Sequence, residues 1–280
     1  MNPGRLLRAA PLLVLLLAGC SRTAALAPPT LRVLVYNIHA GKDAQGVENL
    51  ERVAAVVRDA DADLVLLQEV DRGTARSGGV DQIARLAEAT GLHAAFGRTL
   101  DYDGGEYGIA LLSRFPLASD TLVHLPVDPP QARAGGSYEP RGILEARVST
   151  PWGPLLVLNT HLDASPDDAY RWQEVPTVLA RGRDAATAAD DAVLLGGDFN
   201  AEPGTRVIDA PAAAGWVDAF AGCGRGDGLT YPANGPIKRI DYLWLGEAFE
   251  CVEAEVLTGE ASDHRAFRVD LRWRGRAAGT

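Results

Sequence analysis

The chain has 280 residues, 47% hydrophobic and 23% charged, an ordinary globular make-up with no short-period repeat or low-complexity run, so repeat arrays and disordered polymers are excluded. Its formal net charge is −10, which disfavours loose binding to polyphosphate chains and leaves room for metal cations.

Residues 1–19 read as a secretory signal. Arg5 and Arg8 precede an apolar run over 9–17, well short of the ~20 residues that span a bilayer. Leu17-Ala18-Gly19 before Cys20 resembles the bacterial lipobox. That resemblance implies cleavage before Cys20 and lipid on its sulfur. The protein would then be exported and anchored by its N-terminal lipid to a bacterial membrane, facing the periplasm or the cell surface; Ser21 after the cysteine favours the outer membrane. Residues 20–30, rich in Ala and Pro, read as a lipidated tether. Cleavage removes two arginines and no acids, leaving 25 basic residues against 37 acidic, a net charge near −12. No linker interrupts residues 31–273, which read as one α/β domain and a monomer, followed by a tail over 274–280.

Within the domain, four apolar runs end in polar residues. Residues 31–37 end at Asn37, 63–69 at Gln68 and Glu69, 155–161 at Asn159, Thr160 and His161, and 192–198 at Asp198, followed by Phe199 and Asn200. Continuous apolar runs of this length read as strands buried on both faces. Polar groups are costly beside a core unless satisfied or used, so the four ends predict one shared rim, where sheet proteins gather their ligands. Further strands are expected over 93–98, 107–113, 117–125, 141–149, 240–245, 252–257 and 266–271. Helical spacing appears over 47–58, with Val47 on the apolar stripe, and over 80–90, with Gly91 as the stop. Ser165-Pro166-Asp167-Asp168 reads as a helix start with Ser165 as the cap, and Pro176 should kink or shorten that helix. Strands alternating with helices and with hairpin-like neighbours favour mixed sheets with helices outside.

Two more polar clusters follow, Lys238-Arg239-Ile240-Asp241 at a strand start and Ser262-Asp263-His264 before the last strand. If Cys20 carries lipid, Cys223 and Cys251 remain, and outside the cytosol they either pair or stay as two unlinked small residues.

Taken together, Tyr36-Asn37, Gln68-Glu69, Tyr107-Gly108 through Ser113, Arg141-Gly142, Asn159-Thr160-His161, Gly197-Asp198-Phe199-Asn200, Arg239-Ile240-Asp241-Tyr242 and Ser262-Asp263-His264 resemble, in order, the motifs of the endonuclease/exonuclease/phosphatase (deoxyribonuclease I-like) superfamily. The resemblance implies an α/β fold, a four-layer sandwich of two mixed β-sheets packed face to face with helices on both outer sides. It implies Mg²⁺- or Mn²⁺-dependent hydrolysis of a phosphoester. Carried over residue by residue, Asn37, Glu69 and Asp263 would hold the metal, a hard cation that wants oxygen ligands. Asp198 would deprotonate the attacking water and Asn200 would position it. His264, oriented by Asp241, and His161, a candidate proton donor, would contact the phosphate. Arg141 would bind the phosphate as a charged fork, Tyr107 would line the substrate site, and Glu106 falls where one branch has the carboxylate partner of His161.

His39 stands where many repair nucleases carry an acid, which puts a second metal in doubt, and it reads as a rim or turn residue. The segment 126–140 reads as a rim loop whose one base is Arg133; Arg72 and Arg76 are the other local positives. That is thin for gripping a duplex, whose affinity rests on several phosphate contacts. The function classes rank as a metal-dependent phosphodiesterase or phosphatase acting on a small or lipid-like substrate, then a secreted nuclease with the same site, then a non-catalytic surface lipoprotein that binds without turnover.

Overall fold

The alternation within the first strand sets the layers. A computed structural model describes Met1 and residues 30–129, 139–188 and 192–274. The signal, Cys20 and the tether up to residue 29, Arg133 with most of the rim loop, and the tail from 275 lie outside the described residues. β1 (Thr30–Asn37) sends Leu31, Val33 and Val35 to one side and Leu34 and Tyr36 to the other, and all five are buried. The first three pack with Leu144, Leu155, Val157 and Leu194, which belong to a second sheet. The other two pack with Val53, Val57, Ile83 and Leu86 of two helices. A strand covered on both faces has no polar side, so its sequence is mostly apolar; the exception in β1, Arg32, pairs with Asp270 near the strand's start.

The first sheet has seven strands: β1, β2 (Leu64–Arg72), β3 (His93–Tyr102), β4 (Gly105–Ser113), β10 (Gly224–Arg225), β12 (Phe249–Val256) and β13 (Phe267–Trp273), in the order β10-β12-β13-β1-β2-β4-β3. The second has six: β5 (Leu117–His124), β6 (Gly142–Thr150), β7 (Gly153–His161), β8 (Ala192–Asp198), β9 (Val217–Asp218) and β11 (Asp241–Leu245), in the order β5-β6-β7-β8-β11-β9. The β1–β2 and β7–β8 pairs are parallel and β11 runs antiparallel to β8, so the sheets are mixed. Helices α1 (Leu50–Asp59) and α2 (Gln82–Thr90) cover the first sheet, and α3 (Ala169–Ala188) and α4 (Arg206–Ala213) cover the second through Val175, Val178, Val207 and Ile208. This is the four-layer sandwich that the resemblance implies. A short α5 (Ala219–Cys223) ends at Cys223, which is disulfide-bonded to Cys251 on β12 and so resolves the open cysteine pair.

Three local expectations are corrected. Val47 lies before α1 and is exposed, because Asp43 Oδ1 accepts from the Gln45 and Val47 amides and holds that segment in a turn. Ser165 caps no helix: α3 starts at Ala169, whose amide donates to Asp167 Oδ1, while Arg171 donates to the carbonyls of Asp163, Ser165 and Asp167 and fixes the chain ahead of the helix as a loop. Pro176, expected to kink or shorten α3, does not shorten it: the helix carries it inside a run of 20 residues.

Candidate active site

The two parallel pairs end at the same edge of the sandwich, and each end is built by a backbone irregularity. In β2 the pairing with β4 shifts between Leu67 and Val70, and Glu69 there has φ +57°. Bulges beside active sites re-aim side chains. Here Glu69 lines a cavity of about 650 Å³, while Gln68 is fully buried and donates to Asn159 Oδ1 at 2.7 Å. Asn159 in turn donates to the carbonyls of Leu67 and Ala110 at 2.9 Å. Gln68 and Asn159, read from sequence as rim residues, therefore staple the two sheets together. In β8, Gly197 has φ +139° and its α-carbon lies against the Thr160 carbonyl of β7, where a Cβ would collide. That close approach sets His161 beside Asp198 in register, and the antiparallel pairing sets Asp241 opposite Asp198 on the other side.

Asp198 is the hub. Its Oδ2 accepts from Asn37 Nδ2 at 3.1 Å and lies 3.6 Å from Nε2 of both His161 and His264. Its Oδ1 accepts from the Asn200 amide at 2.8 Å. Burial, and then the charge of Asp241, push the Asp198 carboxyl up to about 7. The Asn37 amide nitrogen also donates to Glu69 Oε1 at 3.1 Å, and its carbonyl oxygen accepts from the His39 amide. Asn37 thus links two carboxylates, and the oxygen expected beside a metal is engaged by the backbone. Asp263 lines the cavity with Glu69 and Asp198, and all three carboxylates raise the nearby Tyr231 hydroxyl after burial.

The two histidines differ in their second nitrogen. His264 Nδ1 donates to Asp241 Oδ2 at 2.9 Å. Burial works to lower its pKa, but Asp241, Asp198 and Asp263 outweigh that and raise it to about 10. His161 Nδ1 lies 3.0 Å from Arg141 Nη1, and its Nε2 lies 3.0 Å from Asn200 Nδ2. Arginine can only donate, so Nδ1 must accept. Burial and then the Arg141 charge hold His161 well below the usual imidazole range. His161 thus has a cation, Arg141, behind Nδ1 where His264 has a carboxylate.

Glu106 is likewise not the partner of His161. It sits opposite Arg72 in the β2–β4 register, pairs with that residue and reaches Arg98 at 3.8 Å. Arg141 is buried, with Nη1 2.7 Å from Glu139 Oε1; it lines the cavity, as Tyr107 does. Arg76 lines the cavity too, but its guanidinium is held by Asp71. His39 is a turn residue at φ +49° with Nδ1 3.2 Å from the Asp43 carbonyl. Sequence reasoning missed Glu139 and Tyr231. The acid two residues before Arg141 was the available signal for the first; nothing local marks Tyr231, whose ring lies 4.9 Å from that of His264.

Asp198, Asp241 and His264 bring ligand-type atoms within 4.8 Å of one another. The direct Asp241–His264 bond makes that pair an oriented imidazole, which leaves Glu69 and Asp263 as carboxylates facing the cavity. Three acids, Asp198, Asp241 and Asp263, act on His264, Glu69 joins Asp198 and Asp263 beside Tyr231, and Asp241 Oδ1 is buried with no hydrogen-bond partner. Such a concentration of carboxylates, two buried and two half-buried, with their oxygen donors fits a hard divalent cation.

The chain matches the Endonuclease/Exonuclease/phosphatase family model over residues 34–264. It is 26% identical over 229 residues to the Escherichia coli (strain K12) protein named "Uncharacterized protein YbhP", covering 78% of this chain and 86% of that one. Among solved structures it is similar to an endonuclease/exonuclease/phosphatase from Beutenbergia cavernae, at 27% identity and TM-score 0.72 over 89% of this chain and 73% of that one. It also shares its fold with the mannosyl-6-phosphatase Bt3783 of Bacteroides thetaiotaomicron, at 19% identity and TM-score 0.72 over 87% of this chain and all of that one.

Proposed function

The chain belongs to the endonuclease/exonuclease/phosphatase family, whose members hydrolyse phosphoester bonds, and we propose that it is a Mg²⁺- or Mn²⁺-dependent phosphodiesterase acting on a small or lipid-like substrate. The observation that carries this reading is one buried carboxylate, Asp198, set between a cationic and a neutral imidazole at 3.6 Å each, on a wall that also carries Glu69 and Asp263.

The metal would be held by Glu69 and Asp263 with Asn37 beside them. When bound, a divalent ion polarises a phosphoryl oxygen and offsets the charge that develops on it. Asp198, raised toward neutrality, is placed to take the proton of an attacking water. Its backbone-bound Oδ1 keeps the carboxylate oriented, and Asn200, held by the Leu162 carbonyl at 3.0 Å, borders the same space. His264 keeps Nδ1 on Asp241, so its charged Nε2 side is left for a phosphoryl oxygen. Arg141 holds His161 neutral, which makes His161 a positioning hydrogen-bond group and leaves the proton-donating role to His264.

Substrate size follows from charge. Arg72 and Arg76 are engaged by Glu106 and Asp71, so neither is available to grip a duplex. The fold also serves a protein named as a mannosyl-6-phosphatase, so monoesters belong in the assay. The N-terminal reading adds location: export, cleavage before Cys20 and attachment by lipid. Intact mass of the membrane fraction tests it; an unmodified N-terminus elsewhere contradicts it.

The functional test is hydrolysis of bis(4-nitrophenyl) phosphate, 4-nitrophenyl phosphate and plasmid DNA by the purified protein in Mg²⁺, in Mn²⁺ and in chelator, with Asp198→Asn alongside. Small-diester turnover that needs metal and is lost in the variant is expected. Activity that persists in chelator, or efficient plasmid nicking without small-ester turnover, would overturn the reading.

A further inference from the structure

We propose that Lys238 is a specificity-determining residue that selects phosphoesters whose non-reacting arm carries a carboxylate. This rests on the hydrolase reading above and narrows its substrate.

The sequence sets Lys238 and Arg239 side by side, and the fold separates their roles. Side chains alternate in direction along an extended segment. Arg239 turns away from the cavity, with Nη1 2.8 Å from Asp218 Oδ2 and its guanidinium 4.7 Å over the Tyr242 ring. Lys238 and Ile240, on either side of it, line the cavity. The register across the turn agrees. Lys238 pairs antiparallel with Tyr231, and residues directly opposite share a face. Tyr231 also lines the cavity, with its ring 4.9 Å from that of His264.

The turn between them is pinned. The Lys238 amide donates to the Tyr231 carbonyl at 2.9 Å, and the Thr230 amide donates to the Lys238 carbonyl at 2.8 Å. Three further bonds staple the turn to the segment that carries Asp263 and His264. The Ala233 amide donates to the Asp263 carbonyl at 2.6 Å, the Arg265 amide to the Thr230 carbonyl at 2.8 Å, and Arg265 Nε to the Ala233 carbonyl at 2.8 Å. The Lys238 backbone is therefore fixed relative to the reacting groups, while its side chain is exposed.

The charges select the occupant. The other basic side chains on the cavity wall are committed: Arg76 to Asp71, Arg141 to Glu139 and His161, and Arg171 to three loop carbonyls. Among the described residues the Lys238 ammonium has no ion pair and no hydrogen bond. Its exposure puts it at the mouth, outside the phosphoryl group that the metal, His264 and Arg141 would hold. There it meets the arm that leads out of the cavity. A neutral arm gains nothing from this ammonium, a cationic arm is repelled, and an anionic arm pairs with it. One ammonium balances one negative charge. Glu202 is exposed on the neighbouring segment, which meets this one at the Tyr242 hydroxyl, 3.0 Å from the carbonyls of both Ala201 and Arg239. That acid weighs against a second negative charge, so a carboxylate fits the mouth and a phosphate dianion does not.

The experiment uses 4-nitrophenyl phosphodiesters whose second arm is a chain of one length ending in a carboxylate, a phosphonate, a methyl or a trimethylammonium group. The quantity read is the ratio of kcat/KM for each charged arm to that for the methyl arm, in which any general loss of activity cancels. The carboxylate arm is expected to lead the methyl arm by ~5- to 10-fold, between the scale of an exposed ion pair and that of a charged hydrogen bond. The phosphonate arm should fall behind the carboxylate. Lys238→Met should bring the carboxylate and methyl arms level, Lys238→Arg should keep most of the lead, and Lys238→Glu should put the trimethylammonium arm first. Glu202→Gln should raise the phosphonate ratio more than the carboxylate ratio. Ile237→Ser, at an exposed neighbour outside the cavity wall, should leave turnover of every arm unchanged. Equal turnover of the carboxylate and methyl arms, a carboxylate lead that survives in Lys238→Met, or a phosphonate arm ahead of the carboxylate would overturn this inference and leave the hydrolase reading standing. Failure to hydrolyse any of these esters would remove the hydrolase reading and this inference with it.

Discussion

Asp198 has a histidine on each side, and the two sides are opposites. Nε2 of His161 and Nε2 of His264 stand at the same 3.6 Å from the same carboxylate oxygen, and both rings are buried. Yet His264 is raised to about 10 and His161 is held well below the usual range. The difference lies one residue further out, where Asp241 stands behind one ring and Arg141 behind the other. Burial disfavours the charged form of both. Only the ring with an acid behind it and two more acids nearby overcomes that cost. Proximity to the central carboxylate does not set an imidazole's charge; the group on the far nitrogen does.

The largest effect should come from removing what the sides share. Asp198→Asn keeps the shape and abolishes the base, and kcat should fall by ~10³-fold or more; steady-state kinetics on a small diester checks it. Glu69→Gln should fall comparably and lose metal-dependent stabilisation by Mn²⁺ in a thermal melt while staying folded.

Next, the sides separate. His264→Ala should cost ~10²–10⁴-fold in kcat, the scale of a general acid, and His161→Ala only ~10-fold, that of a neutral hydrogen bond. Equal losses in the two variants would break the comparison. Asp241→Asn should behave like a milder His264 variant, because the ring keeps its place but loses the charge behind it.

The smallest effect concerns a buried group with no such support. Glu174 is raised to about 7, chiefly by burial, and its Oε1 has no hydrogen-bond partner. Its folded value exceeds its ordinary 4.5, so the native state holds the proton longer than the unfolded chain does. The associated stability is fully present below about 4.5 and is lost as pH rises through about 7. Glu174→Gln, which still accepts from the Asp163 amide, should remove that loss and gain ~1–3 kcal/mol over wild type at pH 8 relative to pH 4.5. Paired chemical denaturation at the two pH values measures it.

The legibility of the chain follows the same division between near and far neighbours. Strands were readable because both faces of β1, β2, β7 and β8 are covered, which writes an apolar run into the sequence. The polar ends were readable as a cluster. Which of them face the cavity was not: Gln68 and Asn159 look like Asn37 and Glu69 in sequence, and only the bulge at Glu69 and the close packing of the sheets send the first two inward. The role of Arg141 behind His161 depends on a contact across 20 residues, and Glu106 was misassigned because its cross-strand partner Arg72 lies 34 residues away. Ser165 has the residue type of a cap, and only the Arg171 clamp denies it one.

The mechanism turns on a single carboxylate working between one charged and one neutral imidazole. It is tested most directly by long-range ¹H–¹⁵N NMR of the imidazole nitrogens in the metal-free protein, assigned with His161→Ala and His264→Ala. At pH 7.5 both His264 nitrogens should be protonated and His161 should be neutral, with its one proton on Nε2. A neutral His264, or a His161 protonated on both nitrogens at that pH, would contradict it.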